Sequence, residues 1–155
     1  MPAPQPHLLT LANTLSEIPR AAAALETWAE PLDVPLPDLM ALQLALEETI
    51  TNIITHGYRE APSGTRHFTV ELSARSGSVS LSPSNPPPSV VRLTLTDDAP
   101  AYDPLARPEI DVTAPIEDRP IGGLGVHLVK KLMTHAAYER RAECNILILE
   151  RTLAT

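Results

Sequence analysis

Aromatic residues are scarce in this chain: one tryptophan, three tyrosines and one phenylalanine make up 3% of its 155 residues. A core with so few rings must be aliphatic, built from Leu, Ile, Val and Ala. The single cysteine, Cys144, excludes an internal disulfide and a cysteine-built zinc cluster. No apolar run approaches the roughly 20 residues needed to span a bilayer. The first residues, Met1-Pro2-Ala3-Pro4-Gln5-Pro6, lack the basic and apolar regions of a signal peptide, so a cytoplasmic protein without a membrane partner is expected. Positive charge is also short. Twelve Lys and Arg stand against 19 Asp and Glu, which argues against a nucleic-acid binder held by phosphate contacts.

Proline is abundant, with 17 in all. Pro83, Pro86, Pro87 and Pro88 lie within Ser82–Ser89; Pro100, Pro104, Pro108, Pro115 and Pro120 follow later. Proline fixes φ and has no N–H, so neither stretch should be regular structure. Ser82–Ser89 reads as a hairpin loop between short strands. The segment 99–121 reads as a long functional loop of the kind that forms lids. The chain is 43% hydrophobic and shows no repeat or linker, so residues 1–155 read as one domain.

The hydrophobic pattern predicts a strand over His7–Ala12 and, after Ser16 and Glu17, a helix to about Glu30 with Pro19 in its first turn and Ala21, Ala22, Leu25, Trp28 and Ala29 on its apolar face. A second helix is expected from Pro37 to His56. Pro37 suits its first position, Asp38 suits the positive end of its dipole, and Gly57 is a natural stop. Leu39, Leu42, Leu46, Ile50 and Ile53 form one stripe of this helix. Glu48, Asn52 and Thr55 fall roughly opposite, with Ala41 and Ala45 beside them. Strands follow over Arg66–Ala74 and Val90–Thr96, then a helix over Gly125–Thr134. Two strands, Ala136–Arg141 and Asn145–Leu149, close the chain as a hairpin.

Three separated segments carry chemistry. Glu48-Thr49-Ile50-Thr51-Asn52 places a carboxylate and a carboxamide one helical turn apart. The Asn52 oxygen is a hard ligand suited to Mg²⁺, and Glu48 could orient or deprotonate a nucleophile. Such pairs are also common on solvated helix faces, where they bind nothing. Leu95-Thr96-Asp97-Asp98-Ala99-Pro100 is an apolar run ending in acids and a turn. A carboxylate there can accept a hydrogen bond from an adenine amino group. The bland alternative is an aspartate capping its own turn, and Asp98 could play either part. Gly122-Gly123-Leu124-Gly125 opens an amphipathic helix. Glycines let backbone N–H groups approach phosphates, and the helix N-terminus adds positive potential. The alternative is a flexible loop before a tight helix start. The segment is not a Walker A loop, because the Gly-Lys-[Ser/Thr] ending is missing. Nor is it a Rossmann loop, because it comes late and lacks the strand–turn approach. His56 and His127 lack metal-ligand spacing and read as packing or capping residues; Cys144 reads as inert.

Taken together and in this order, the segments resemble the ATP-binding (Bergerat, or GHKL) fold of gyrase, Hsp-type chaperones, histidine kinases and mismatch-repair ATPases. Within it, nearly the whole chain is most similar to the bacterial anti-sigma-factor serine/threonine kinases. The resemblance rests on Ala45–Asn52 followed by Thr55-His56-Gly57-Tyr58, on Asp97, and on Gly122–Met133; Tyr138, Arg140 and Asn145 also fit the family's terminal hairpin. It implies an α/β two-layer sandwich, with a mixed sheet on one side and about three helices on the other. It implies that Asn52 binds Mg²⁺, Glu48 is the catalytic base, Asp97 reads adenine, and Gly122, Gly123, Leu124 and Gly125 meet the phosphates of ATP. The implied partners are an anti-anti-sigma protein as phosphoacceptor, a sigma factor, and a second copy of the chain in a homodimer. Two other classes stay open: an ATP-binding regulatory module without catalysis, and a detached histidine-kinase-type catalytic domain. One departure stands out. Ala99 occupies the place of the family's first glycine after the adenine aspartate, which suits alanine only if φ is negative.

Overall fold

A computed structural model describes residues 4–76, 89–106, 113 and 124–154, with Leu124 described by its backbone alone. Its elements are strand β1 (His7–Ala12), helix α1 (Glu17–Ala29), helix α2 (Leu36–Asn52), strands β2 (His67–Arg75) and β3 (Val90–Asp97), helix α3 (Leu124–Leu132), and strands β4 (His135–Arg141) and β5 (Cys144–Thr152). The strands form one sheet in the order β1-β2-β3-β5-β4, and the three helices complete an α/β sandwich.

Every described strand pairing is antiparallel, which corrects the expected mixed sheet. The reason lies in the last crossover. The connection through α3 does bring β4 back parallel to β3, but β5 inserts between them, so no parallel pair forms. The β4–β5 turn is the two residues Ala142 and Glu143, at φ 52° and 62°. Left-handed residues at both central positions match the twist of a tight hairpin. The β2–β3 pairing reaches Arg75 opposite Val90, and Ser89 N–H donates to Arg75 O at 2.9 Å. Those flanks fit a hairpin; the proline-rich segment itself, 82–88, lies outside the described residues.

One face of the sheet makes the core. Leu9, Leu11, Phe68, Val70, Leu72, Leu93, Leu95 and Leu149 are buried there with Leu25 of α1 and Leu42, Leu46 and Ile50 of α2. The aliphatic core inferred from composition is therefore present, with the chain's one phenylalanine, Phe68, set beside Tyr58 at a ring-centroid distance of 6.4 Å. Fully burying a side chain of this kind stabilises by about 1.5–3 kcal/mol.

Helix α2 is central, packed by α1 and by α3. Ala41 and Ala45, which share the face of Glu48 and Asn52, are buried, so the open part of that ridge begins only at Glu48. Asp38 does more than face the dipole. Its Oδ1 accepts from Arg151 Nε at 2.7 Å and its Oδ2 from Ala154 N–H at 2.9 Å, tying the start of α2 to the end of β5. The other end of α2 also differs from expectation. The α-helix stops at Asn52, and Ile53–Gly57 form a π turn closed by Tyr58 N–H to Ile53 O at 2.9 Å. Thr49, Thr51 and Thr55 donate their hydroxyls to the carbonyls four residues earlier, at 2.7, 2.8 and 2.7 Å. Such back-bonding bends helices, and π turns concentrate at functional sites. Gly57 is not in the left-handed conformation, so its stop is not the usual glycine cap.

Candidate functional site

Asp97 ends β3 directly opposite Asn145 on β5. It is 8% exposed. Its Oδ1 accepts from Ala99 N–H at 3.0 Å and from Asn145 Nδ2 at 2.9 Å. The turn-capping alternative is thus realised, but it occupies one oxygen. Among the described residues nothing donates to Oδ2. Asp97 lines a cavity whose other walls include Asn52, Ile53, Leu105, Val126, Val129 and Leu147. An apolar slot holding one unused acceptor suits a flat base with an amino group at its edge. Burial pushes the Asp97 carboxyl up, and the Asn145 and Ala99 donors only partly oppose it.

Asp98 takes the other path. Tyr58 Oη donates to its Oδ1 at 2.6 Å, and Asp98 N–H donates back to Tyr58 Oη at 3.2 Å. Burial, then the Asp98 carboxylate, push the Tyr58 phenol well above its ordinary range. This pair staples the chain after the π turn to the end of β3.

Asn145 is the hub of the turn beyond Asp97. Besides the carboxylate, its Nδ2 donates to Ala99 O at 3.2 Å and Pro100 O at 3.1 Å. Its Oδ1 accepts from Tyr102 N–H at 3.2 Å and Tyr138 Oη at 2.5 Å. Arg140 Nη1 adds a bond to Ala99 O at 2.9 Å. The terminal hairpin therefore shapes the wall of the cavity. Ala99 has no positive φ and is buried, so its alanine is unstrained. Further along, Leu105 N–H caps onto Asp103 Oδ1 at 2.8 Å, and Lys130 Nζ of α3 donates to Leu105 O at 2.8 Å. The first part of the expected lid is thereby anchored; 107–112 and 114–121 lie outside the described residues.

Glu48 and Asn52 are half-buried on α2. Neither side chain makes a hydrogen bond among the described residues, whereas the threonines around them all do. Gly125, in the first turn of α3, lies against the Glu48 carboxylate. Gly122 and Gly123 fall outside the described residues, and Leu124 begins α3. Among the described residues no group of three His, Cys, Asp or Glu could cage a metal. A Mg²⁺ at Asn52 would accordingly take most of its oxygens from phosphate and water, as Mg²⁺ at nucleotide sites commonly does.

The fold and this cavity define a nucleotide-binding domain, and comparison with known proteins places it. Residues 11–151 match the histidine kinase-like ATPase domain, and the chain belongs to that family. It is 26% identical over 108 residues to the serine/threonine-protein kinase BtrW of Bordetella bronchiseptica, a match covering 70% of this chain and 66% of that protein. It is also similar in fold to a crystal structure of the RsbU and RsbW domains of Rv1364c from Mycobacterium tuberculosis, with a TM-score of 0.64 at 17% identity. That likeness covers 97% of this chain and 33% of the mycobacterial one. The chain thus spans just under two thirds of the kinase and a third of the mycobacterial protein. No helix among the described residues is long and apolar enough to cross a membrane.

Proposed function

We propose that this domain is a Mg²⁺-dependent kinase that passes the γ-phosphoryl group of ATP to a serine or threonine hydroxyl of an anti-anti-sigma protein. In the same reading it holds a sigma factor and works as a homodimer, as its anti-sigma-kinase resemblance implies. The observation that carries the enzymatic part is the state of Glu48 and Asn52. They are polar, half-buried, one turn apart and free of protein hydrogen bonds among the described residues; Asn52 lines the cavity that also holds Asp97, and Glu48 stands one turn before it against Gly125. Family membership supports ATP as the nucleotide, and the name of the Bordetella relative supports a protein hydroxyl as acceptor.

In this reading Asp97 Oδ2 accepts from the adenine amino group. Asn52 contributes an oxygen to Mg²⁺, which supplies charge neutralisation at the phosphates. Glu48 takes the proton of the acceptor hydroxyl as its oxygen bonds to the γ-phosphorus and the bond to the β,γ-bridging oxygen breaks. Most of the rate comes from positioning and charge neutralisation, with general-base help worth about 10²–10⁴.

The test is single-turnover transfer of radiolabel from ATP to the anti-anti-sigma protein. Glu48→Gln should bind Mg-ATP like wild type yet transfer at least about a hundredfold more slowly. Glu47→Gln, about 100° around the helix, should stay near the wild-type rate. Equal losses in the two variants would show that Glu48 is not the base. ATP binding by wild type without transfer to any Ser- or Thr-bearing partner would make the domain a regulatory binding module.

A further inference from the structure

Gly125 sits where the catalytic reading of Glu48 meets helix α3. A Cβ built on Gly125 would fall on Glu48 Oε2, 3.0 Å from its Cδ and 3.6 Å from its Cγ. The Glu48 carboxylate therefore reaches the bare Cα of residue 125 with its Oε2 foremost. Two usual reasons for a glycine do not apply. Its φ is outside the left-handed region, so the backbone would accept alanine. Glycine is also a weaker helix former than alanine, so the first turn of α3 gains nothing from it. What remains is space, and the group filling that space is the carboxylate of Glu48.

We propose that Gly125 is a positioning residue for Glu48: the missing side chain is the seat on which the carboxylate rests, and a methyl group at 125 moves it off line. Among the described residues Glu48 has no hydrogen bond to fix it, so this contact and the packing of α2 on α3 hold its direction. The proposal rests on the reading of Glu48 as the base. It differs from a phosphate-contact role for Gly125, in which the bare Cα lets the backbone N–H approach a phosphate and an added methyl blocks that approach. A lost phosphate contact weakens ATP binding; a displaced base slows transfer while ATP binding stays.

The test is a double-substitution cycle on the intact chain. Gly125→Ala should slow single-turnover transfer at least about tenfold, since displacing a catalytic group by about 1 Å can cost on the order of 10²-fold. Its ATP affinity should stay within about twofold of wild type. In the Glu48→Gln background, where no base remains to misplace, adding Gly125→Ala should change the rate less than about twofold. Equal slowing in both backgrounds, or a loss that appears in ATP affinity, would overturn the proposal. A second cycle needs no activity. Removing the carboxylate in Glu48→Ala clears the seat, so Gly125→Ala should raise the melting temperature more in that background than in wild type. Identical shifts in the two backgrounds would show that residues 48 and 125 are uncoupled, and would overturn the proposal even if Glu48 proves to be the base. Conversely, a Glu48→Gln variant with the wild-type rate would refute the base assignment while the melting cycle still reports on the contact.

Discussion

Replacing Asp97 by Asn tests the proposed adenine contact with almost no change in shape. The direction of the effect follows from the hydrogen bonds. Oδ1 of Asp97 is held by two donors, Ala99 N–H at 3.0 Å and Asn145 Nδ2 at 2.9 Å. In Asp97→Asn the new amide oxygen must take that position, because an NH₂ group there would face two donors. The amide NH₂ is then forced toward the cavity, where Asp97 offers Oδ2. A donor would meet the adenine amino group in place of an acceptor. Losing a charge-assisted hydrogen bond costs about 1.5–3 kcal/mol, or roughly 10- to 150-fold in affinity. A purine with a carbonyl at that edge should suffer less, so the ATP-to-GTP preference should fall.

Stability without nucleotide should move the other way. Burial raises the Asp97 carboxyl above its ordinary value of 3.8. A carboxyl raised in the folded state contributes its proton-linked stability below the unfolded value and loses it as pH climbs through the folded one. At neutral pH the ionised Asp97 is therefore a net cost that a neutral carboxamide does not carry. Asp97→Asn should melt higher than wild type at neutral pH, with the gap narrowing as pH falls toward about 4. Calorimetric titration with Mg-ATP and Mg-GTP, together with melts across that pH range, measures both effects. An unchanged ATP-to-GTP ratio would refute the assignment of Oδ2 to the base. A variant less stable than wild type at neutral pH would refute the electrostatic part.

Two further outcomes are expected. Asn52→Ala should lose ATP affinity that depends on Mg²⁺, measured by titration with Mg²⁺ and with chelator; wild-type affinity indifferent to chelation would exclude Asn52 as a metal ligand. Glu150 lies opposite Arg92 and also pairs with Arg75 at 3.4 Å; burial raises its carboxyl, but the bonds from Arg92, helped by Arg75, outweigh it and leave it below the ordinary 4.5. A lowered carboxyl stabilises above its unfolded value and loses that contribution as pH falls through the folded one. Glu150→Gln should therefore melt below wild type at pH 7, and the two curves should converge in acid below about pH 4.5.

Much of the fold was legible because it follows from short-range pattern. Strand β1 spans the residues that alternation marks, and all three helices appear within a few residues of their predicted limits. The π turn was not legible, because Thr-rich helical sequence looks the same whether its bonds skip four residues or five. The absence of a parallel pair was hidden as well, since it depends on where β5 inserts, not on any strand's own sequence. At the site, the residue types of Glu48, Asn52 and Asp97 were readable, but the division of labour within the acidic pair was not. Asp97 and Asp98 differ only in which partner reaches them, Asn145 or Tyr58, and those partners lie 40 or more residues away. The hydrogen-bond hub at Asn145 shares this origin. A resemblance drew attention to the residue; only the register of β3 against β5 explains its work.

Ala99 shows how the site accommodates a departure from its family's pattern. A glycine at position 99 would give the turn conformational freedom and leave room beside it. In this chain neither is needed at 99. The turn is fixed from outside, with the Ala99 N–H given to Asp97 and its carbonyl receiving Arg140 and Asn145. Its φ is not positive, so a Cβ brings no backbone strain. The methyl does need space, and Gly57 supplies it: a Cβ there would lie 3.2 Å from the Ala99 Cβ, tighter than most real contacts of that kind. A second methyl at this contact would push the two segments apart by a few tenths of an ångström, and Gly57 avoids that. The glycine that ends the π turn is thus favoured by its close packing against Ala99, not by the conformation of its own backbone. That links the geometry of α2's last turn, where Asn52 stands, to the turn that holds Asp97 in place.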